Sequence, residues 1–184
     1  VLGATRDDAA GECFDKVARV LGIGYPGGAP MDRLSRTGDA GRYAFPRVQV
    51  HDAPLDMSFS GLKTAAINLI HNARQKEEAL DLPSLAASFS AAVSDMLVPR
   101  VMEAARRCGR RKVAVAGGVA ANSHIRADLE AACAAAGCRL YLPPLSLCGD
   151  NGAMIGCQAY YEYLAGHTAD MALNAYANRD IAKG

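Results

Sequence analysis

Apolar residues recur at helical spacing along most of the chain and form short strand-like runs in two places. Between Asp7 and Leu21, the positions Ala10, Phe14, Val17, Ala18 and Leu21 lie three or four apart, which predicts a helix with Asp7 or Asp8 as its N-cap. Gly22, Gly24, Pro26, Gly27 and Gly28 break it. A short helix over about 30–37 stops at Gly38. Residues 41–59 hold Pro46 and Pro54 and show no clear period, so they read as loop with at most a short strand over 47–50. Leu62, Ala66, Leu69 and Ile70 put one apolar face on a helix over 60–73. The longest helix runs over about 84–108; Pro99 inside it lacks an amide donor and predicts a bend, not a stop.

Beyond the basic turn at 109–112 the pattern changes. Residues 113–116 form a short apolar run ending in Gly117 and Gly118, which reads as a buried strand. An alanine-rich helix over 120–136 is stopped by Gly137, and a second strand over 139–142 is ended by Pro143 and Pro144. Strand, helix, strand predicts a parallel pair with a right-handed crossover. A last helix spans 152–164, and 174–184 reads as a tail. Two strands among five or six helices are too little sheet for a complete α/β domain. The chain also enters the charged string TRDDAAGECFDK almost at once from Val1. Both features predict that strands precede residue 1 and that the chain is entered in mid-domain.

Composition narrows the class. Of 184 residues, 51% are hydrophobic and 21% charged, with a formal net charge of +1. This is a globular composition, not that of a disordered tail or a strongly basic nucleic-acid module. No charged-then-apolar leader opens the sequence, and no apolar run approaches the ~20 residues that span a bilayer. A soluble, cytoplasmic chain without a membrane partner is expected. The six cysteines at 13, 108, 133, 138, 148 and 157 include no C-x-x-C pair, so a structural zinc site is disfavoured and buried thiols are expected.

The chemistry-bearing candidates lie beyond the carboxyl ends of the two strands, where parallel sheets bind ligands. Gly117 and Gly118 let the backbone approach a ligand, and the helix that follows presents its N-terminus to negative charge. Asn122, in its first turn, offers a donor and an acceptor to a ribose or base, or else caps the helix. Asp150, between Gly149 and Asn151-Gly152, suits a metal or polar ligand, or else is itself an N-cap. Ser60 and Lys63 open a helix and either face RNA or cap it. Arg106, Arg107, Arg110, Arg111 and Lys112 favour a helix dipole or a phosphate. Tyr160, Tyr161 and Tyr163 are expected in a core or interface.

In order along the chain stand DDAAGECFDK (Asp7–Lys16), YPGG (Tyr25–Gly28), SFSGLKT (Ser58–Thr64), GGVAANSHIR (Gly117–Arg126) and CGDNGAMIG (Cys148–Gly156). Together these resemble the TsaD family of tRNA threonylcarbamoyl transferases over nearly the whole chain. The resemblance implies an actin-like ATPase architecture of RNase H-like domains. The chain would be its C-terminal portion, with an incomplete mixed sheet: residues 1–110 would be a large helical insertion of the second domain and 111–184 its βαβα remainder, the N-terminal domain being absent. It implies transfer of a threonylcarbamoyl group from threonylcarbamoyl-adenylate to the amine of the adenosine beside the tRNA anticodon. Asp15, Gly28, Asp32 and Asn122 would contact the nucleotide, and Asp150 would be one ligand of a divalent metal ion, iron or zinc.

The family's H-x-x-x-H metal motif is not found here, since His51, His71, His124 and His167 make no such pair. Two metal ligands are therefore expected from outside this chain, and the chain alone is expected to be inactive. A TsaB-like paralogue and a TsaE-like ATPase are the implied protein partners, and self-association through an exposed sheet edge is expected. No residue stands out as a general base. Three other functions remain open: an ATPase or sugar kinase of the same architecture, a metallopeptidase, and a non-catalytic scaffold paralogue. The first lacks DDAAGECFDK and SFSGLKT, the second needs an H-E-x-x-H helix, and the third has no need of Asn122 and Asp150.

Overall fold

The computed structural model describes residues 1–175, so most of the expected tail lies outside it. Its elements are α1 (Ala10–Leu21), α2 (Gly28–Ser35), α3 (Ser60–Gln75), α4 (Leu82–Arg107), β1 (Lys112–Ala114), α5 (Ser123–Ala135), β2 (Arg139–Tyr141) and α6 (Gly152–Leu164). Single 3-10 turns at Gly118–Ala121 and Leu145–Leu147 follow the two strands. The protein is α/β, mostly helical, with a small parallel sheet.

The apolar faces read from the sequence meet in one core. Cys13, Phe14, Val17 and Ala18 of α1 are buried, as are Leu62, Ala66, Ile70 and Ala73 of α3. Phe89 of α4 sits at their centre and takes the edges of Phe14 at 5.2 Å and Phe45 at 5.8 Å between ring centroids. Ile125 and Leu129 of α5 join the same cluster. At the end of α1, Gly22 adopts φ +78°, and the N–H groups of Gly22 and Ile23 close on Arg19 and Ala18 carbonyls. A left-handed glycine with that paired closure terminates the helix.

Capping differs from expectation. Neither Asp7 nor Asp8 caps α1, whose N-cap is Ala9 with no side-chain bond. The Asp7 carboxylate instead accepts the backbone N–H groups of Phe59 at 2.8 Å and Ser60 at 3.3 Å, and so caps α3 from across the fold. Burial presses its pKa upward, but the Ser58, Phe59 and Ser60 donors outweigh that and hold it below the usual range. Asp8 joins Lys16 at 2.7 Å and Lys63 at 2.6 Å. These donors accommodate Asp8 as a carboxylate and lower its pKa.

Helix α4 opens with Asp81 accepting the Ser84 N–H at 3.2 Å and with Pro83 in its first turn. It continues through Pro99 without stopping, as expected. Beside that proline, the Arg100 guanidinium donates to the carbonyls of Met96, Asp56 and Val48. Contrary to the sequence reading, α4 is long and apolar enough to cross a bilayer, but 61% of its apolar window is buried within the fold. It is the core helix. The short strand over 47–50 does not form: the Phe45 and Val48 carbonyls take side-chain donors from Arg47 and Arg100 instead of a ladder partner.

Strands β1 and β2 pair in parallel with Val113 opposite Leu140. Each is shorter than its apolar run. Among the described residues they form the whole sheet. Helix α6 has the predicted bounds, but none of its residues is buried. Tyr160, Tyr161 and Tyr163 are 59–70% exposed, so the expected core placement fails.

Candidate functional site

Three segments distant in sequence converge beside the N-terminus of α5: α1, the YPGG turn with α2, and the residues that open α5 itself. Asp15, near the middle of α1, accepts the Gly27 N–H through Oδ1 at 2.6 Å and holds the YPGG turn against that helix. The turn leads into α2, whose Asp32 is buried. Through Oδ1, Asp32 accepts the N–H of Ser123 at 2.6 Å, and through Oδ2 it accepts the Arg36 guanidinium at 2.9 Å. Asn122, also buried, caps α5 by accepting the Ile125 N–H at 3.1 Å. Two bonds, Asp15 to Gly27 and Asp32 to Ser123, thereby tie the segments carrying Asp15, Gly28, Asp32 and Asn122 into one region.

Each candidate has a structural job, so the hydrogen-bonding capacity left over decides what a ligand could use. Among the described residues, Asp15 Oδ2 has no partner, and neither has the Asn122 amide nitrogen. Asp32 has both oxygens engaged, and only their second lone pairs remain. Burial presses its pKa upward most, yet the Ser123 and Arg36 donors outweigh burial, and the group stays ionised below its ordinary range.

The two glycines of the turn differ in kind. A Cβ on Gly27 would overlap the Ala18 Cβ and approach the Asp15 Cα to 3.0 Å, so Gly27 is needed by the fold. A Cβ on Gly28 would meet nothing. Its open face is space that the chain itself does not fill.

The second strand delivers Asp150 differently. Asn151, not Asp150, caps α6, accepting the Met154 N–H at 2.9 Å. Asp150 is exposed and makes no hydrogen bond or ion pair among the described residues. As donor chemistry, one free carboxylate fits a single ligand of a divalent ion. It does not make a site alone: among the described residues no three of His, Cys, Asp and Glu come together.

Lys63, Ser60, Arg106 and Arg107 have structural partners of their own. Lys63 pairs with Asp8, and the Ser60 N–H is taken by Asp7. Arg106 and Arg107 both pair with Glu103, whose pKa they pull down to about 2. Arg110, Arg111 and Lys112 are exposed and form no ion pair among the described residues. Sequence reasoning missed Gly27, Ser123 and Arg126. The first two have no signal beyond their neighbours. Arg126 carries one: a cation in the first turns of a helix opposes its dipole and needs a specific partner.

Residues 1–157 match the family model of TsaD, tRNA N6-adenosine threonylcarbamoyltransferase. A protein of that description from Moorella thermoacetica is 51% identical over 175 residues, covering 95% of this chain and 51% of the relative. One from Clostridium botulinum is 47% identical over 183 residues, covering 100% and 54%. One from Staphylococcus saprophyticus subsp. saprophyticus is 48% identical over 181 residues, covering 98% and 53%. The chain thus spans about half the length of the curated relatives it matches. With the family model covering most of its residues, the chain belongs to the TsaD family.

Proposed function

We propose that this chain forms one wall of the adenylate-binding cleft of a tRNA N6-adenosine threonylcarbamoyltransferase. The observation that carries the proposal is the convergence of Asp15, Gly28 and Asn122, with open space at Gly28 and unused polar atoms on the other two. An adenylate needs a donor and acceptor for its ribose and base and a close backbone approach, and this surface offers both. Asp32 borders the nucleotide and fixes the wall by joining α2 to α5.

The reaction is acyl transfer. The exocyclic amine of a tRNA adenosine attacks the donor's carbonyl carbon, a new C–N bond forms, AMP leaves with the electron pair of the broken C–O bond, and the amine gives up one proton to solvent. The residues of this chain hold the adenylate half of the donor in place, so their contribution is orientation. Asp150 would supply one oxygen ligand to a divalent metal, iron or zinc, completed by two histidines from outside the chain. When bound, such an ion polarises donor oxygens as a Lewis acid. The family membership and the parallel β1–β2 pair support reading the chain as part of the second domain of an actin-like ATPase architecture, with 1–110 as its helical insertion. In the intact cytoplasmic enzyme a TsaB-like paralogue and a TsaE-like ATPase are the partners, and the isolated chain self-associates through its open sheet edge.

The test uses tRNA, threonylcarbamoyl-adenylate and a full-length enzyme carrying this segment, beside the 184-residue chain. Transfer by the full-length protein and none by the isolated chain is expected. Transfer by the isolated chain, or ATP turnover with a sugar and no tRNA requirement, defeats the proposal.

A further inference from the structure

Arg126 lies one turn into α5, and its guanidinium joins three places on the chain. Nη1 donates to the Ala120 carbonyl at 2.8 Å and to the Pro143 carbonyl at 3.2 Å, and Nη2 donates to Pro143 at 3.2 Å. Nη1 also lies 3.9 Å from Cys148 Sγ. Ala120 belongs to the turn after β1, Pro143 to the segment after β2, and Cys148 stands two residues before Asp150. Among the described residues Arg126 has no carboxylate partner, so the donors it uses, on Nη1 and Nη2, serve backbone and thiol alone. A cation near a helix N-terminus is electrostatically disfavoured. Here it is held by geometry that a forked guanidinium satisfies and a lysine does not.

We propose that Arg126 is a positioning residue that fixes the loop carrying Asp150 against the turn carrying Asn122. The proposal rests on the assignment of those two residues above. The two sides depend on Arg126 unequally. Asn122 is held independently by the Ile125 N–H and by the neighbouring Asp32–Ser123 bond. Asp150 makes no bond of its own, and the last buried residue before it is Cys148, which Arg126 touches. Removing the guanidinium therefore loosens the Asp150 side and leaves the Asn122 side in place.

The experiment measures two affinities in the full-length enzyme: adenosine monophosphate by calorimetry, and Zn2+ by competition with a chelator. Arg126→Gln and Arg126→Lys are expected to weaken Zn2+ binding by about 10–100-fold, the usual loss when a support of a metal ligand is removed. Both should leave nucleotide affinity within about threefold, because general damage would lower the two together. In the 184-residue chain, Cys148 should react faster with a thiol reagent in both variants, a readout that does not depend on metal. Equal loss of nucleotide and Zn2+ affinity overturns the proposal, as does Zn2+ affinity unchanged in both variants. Asp150→Ala is the control. If it leaves Zn2+ affinity intact, the assignment of Asp150 fails and this proposal with it; if it lowers affinity while both Arg126 variants do not, this proposal alone fails.

Discussion

The Asp32 carboxylate accepts the Ser123 N–H at 2.6 Å although 91 residues separate them in the chain. The bond fastens α2 to the first turn of α5, one residue from Asn122. It satisfies an amide that α5 cannot pair internally, and it is part-buried, so an unmet partner there is costly. Asp32→Ala should destabilise the chain by about 1–3 kcal/mol, the cost of leaving such a donor unsatisfied. Asp32→Asn keeps an acceptor for Ser123 but loses the ion pair with Arg36, so its loss should be smaller. Urea unfolding of the two variants checks the order. Equal stabilities for wild type and Asp32→Ala would show that the α2–α5 link contributes nothing.

Acid should undo the same links. Asp7, Asp8 and Asp32 all have pKa values below the ordinary range in the folded chain. A depressed folded pKa means that the unfolded chain takes up protons first. The stability these groups supply is complete above the unfolded value, about 3.9, and is lost as pH falls through it toward the folded values. Melting temperature should therefore hold between pH 7 and about 5 and drop below about 4. Asp7→Asn and Asp32→Asn should each make that drop shallower. An unchanged acid slope in both would rule these carboxylates out as its source.

Legibility in the sequence follows the range of the interaction. The apolar faces of α1 and α3 are set by neighbours three and four positions away, so periodicity finds them. Asp7 looks like a cap for the helix that follows it, but it caps α3 some 50 residues on, because the fold brings Phe59 closer than α1. The loop over 47–50 has strand-like residues, yet its Val48 carbonyl takes the Arg100 guanidinium and its Val50 carbonyl the Ala53 N–H. The site behaves likewise: spacing leaves Asn122 between a cap and a ligand contact, and the structure shows the cap while leaving its amide nitrogen free. Motif order identifies Asp15, Gly28 and Asp32 as a set, but only the tertiary bonds show what joins them.

Capping across the fold gives Asp7 a measurable weight. Its carboxylate takes two backbone donors at the start of α3, a helix with no side-chain cap of its own. Asp7→Ala should cost about 1 kcal/mol, within the range of ~0.5–2 for losing an N-cap. The loss should appear as faster amide exchange in the first turn of α3, at Leu62 and Lys63, and not in α1. Faster exchange confined to α1 would return Asp7 to the role that sequence alone suggests.

Neighbouring glycines in the YPGG turn should separate fold from binding. A Cβ at Gly27 collides with α1, so Gly27→Ala should destabilise by about 1–3 kcal/mol, as overpacking of a tight contact does. A Cβ at Gly28 meets only open space, and its position in the first turn of α2 tolerates alanine. Gly28→Ala should therefore melt at or slightly above the wild-type temperature. In a full-length enzyme the same methyl would occupy the face where the nucleotide approaches, and affinity for adenosine monophosphate should fall about tenfold, or about 1.4 kcal/mol. Thermal melts of the two variants and calorimetric titration of Gly28→Ala measure both sides. Wild-type nucleotide affinity in Gly28→Ala would remove Gly28 from the binding wall, whatever its effect on stability.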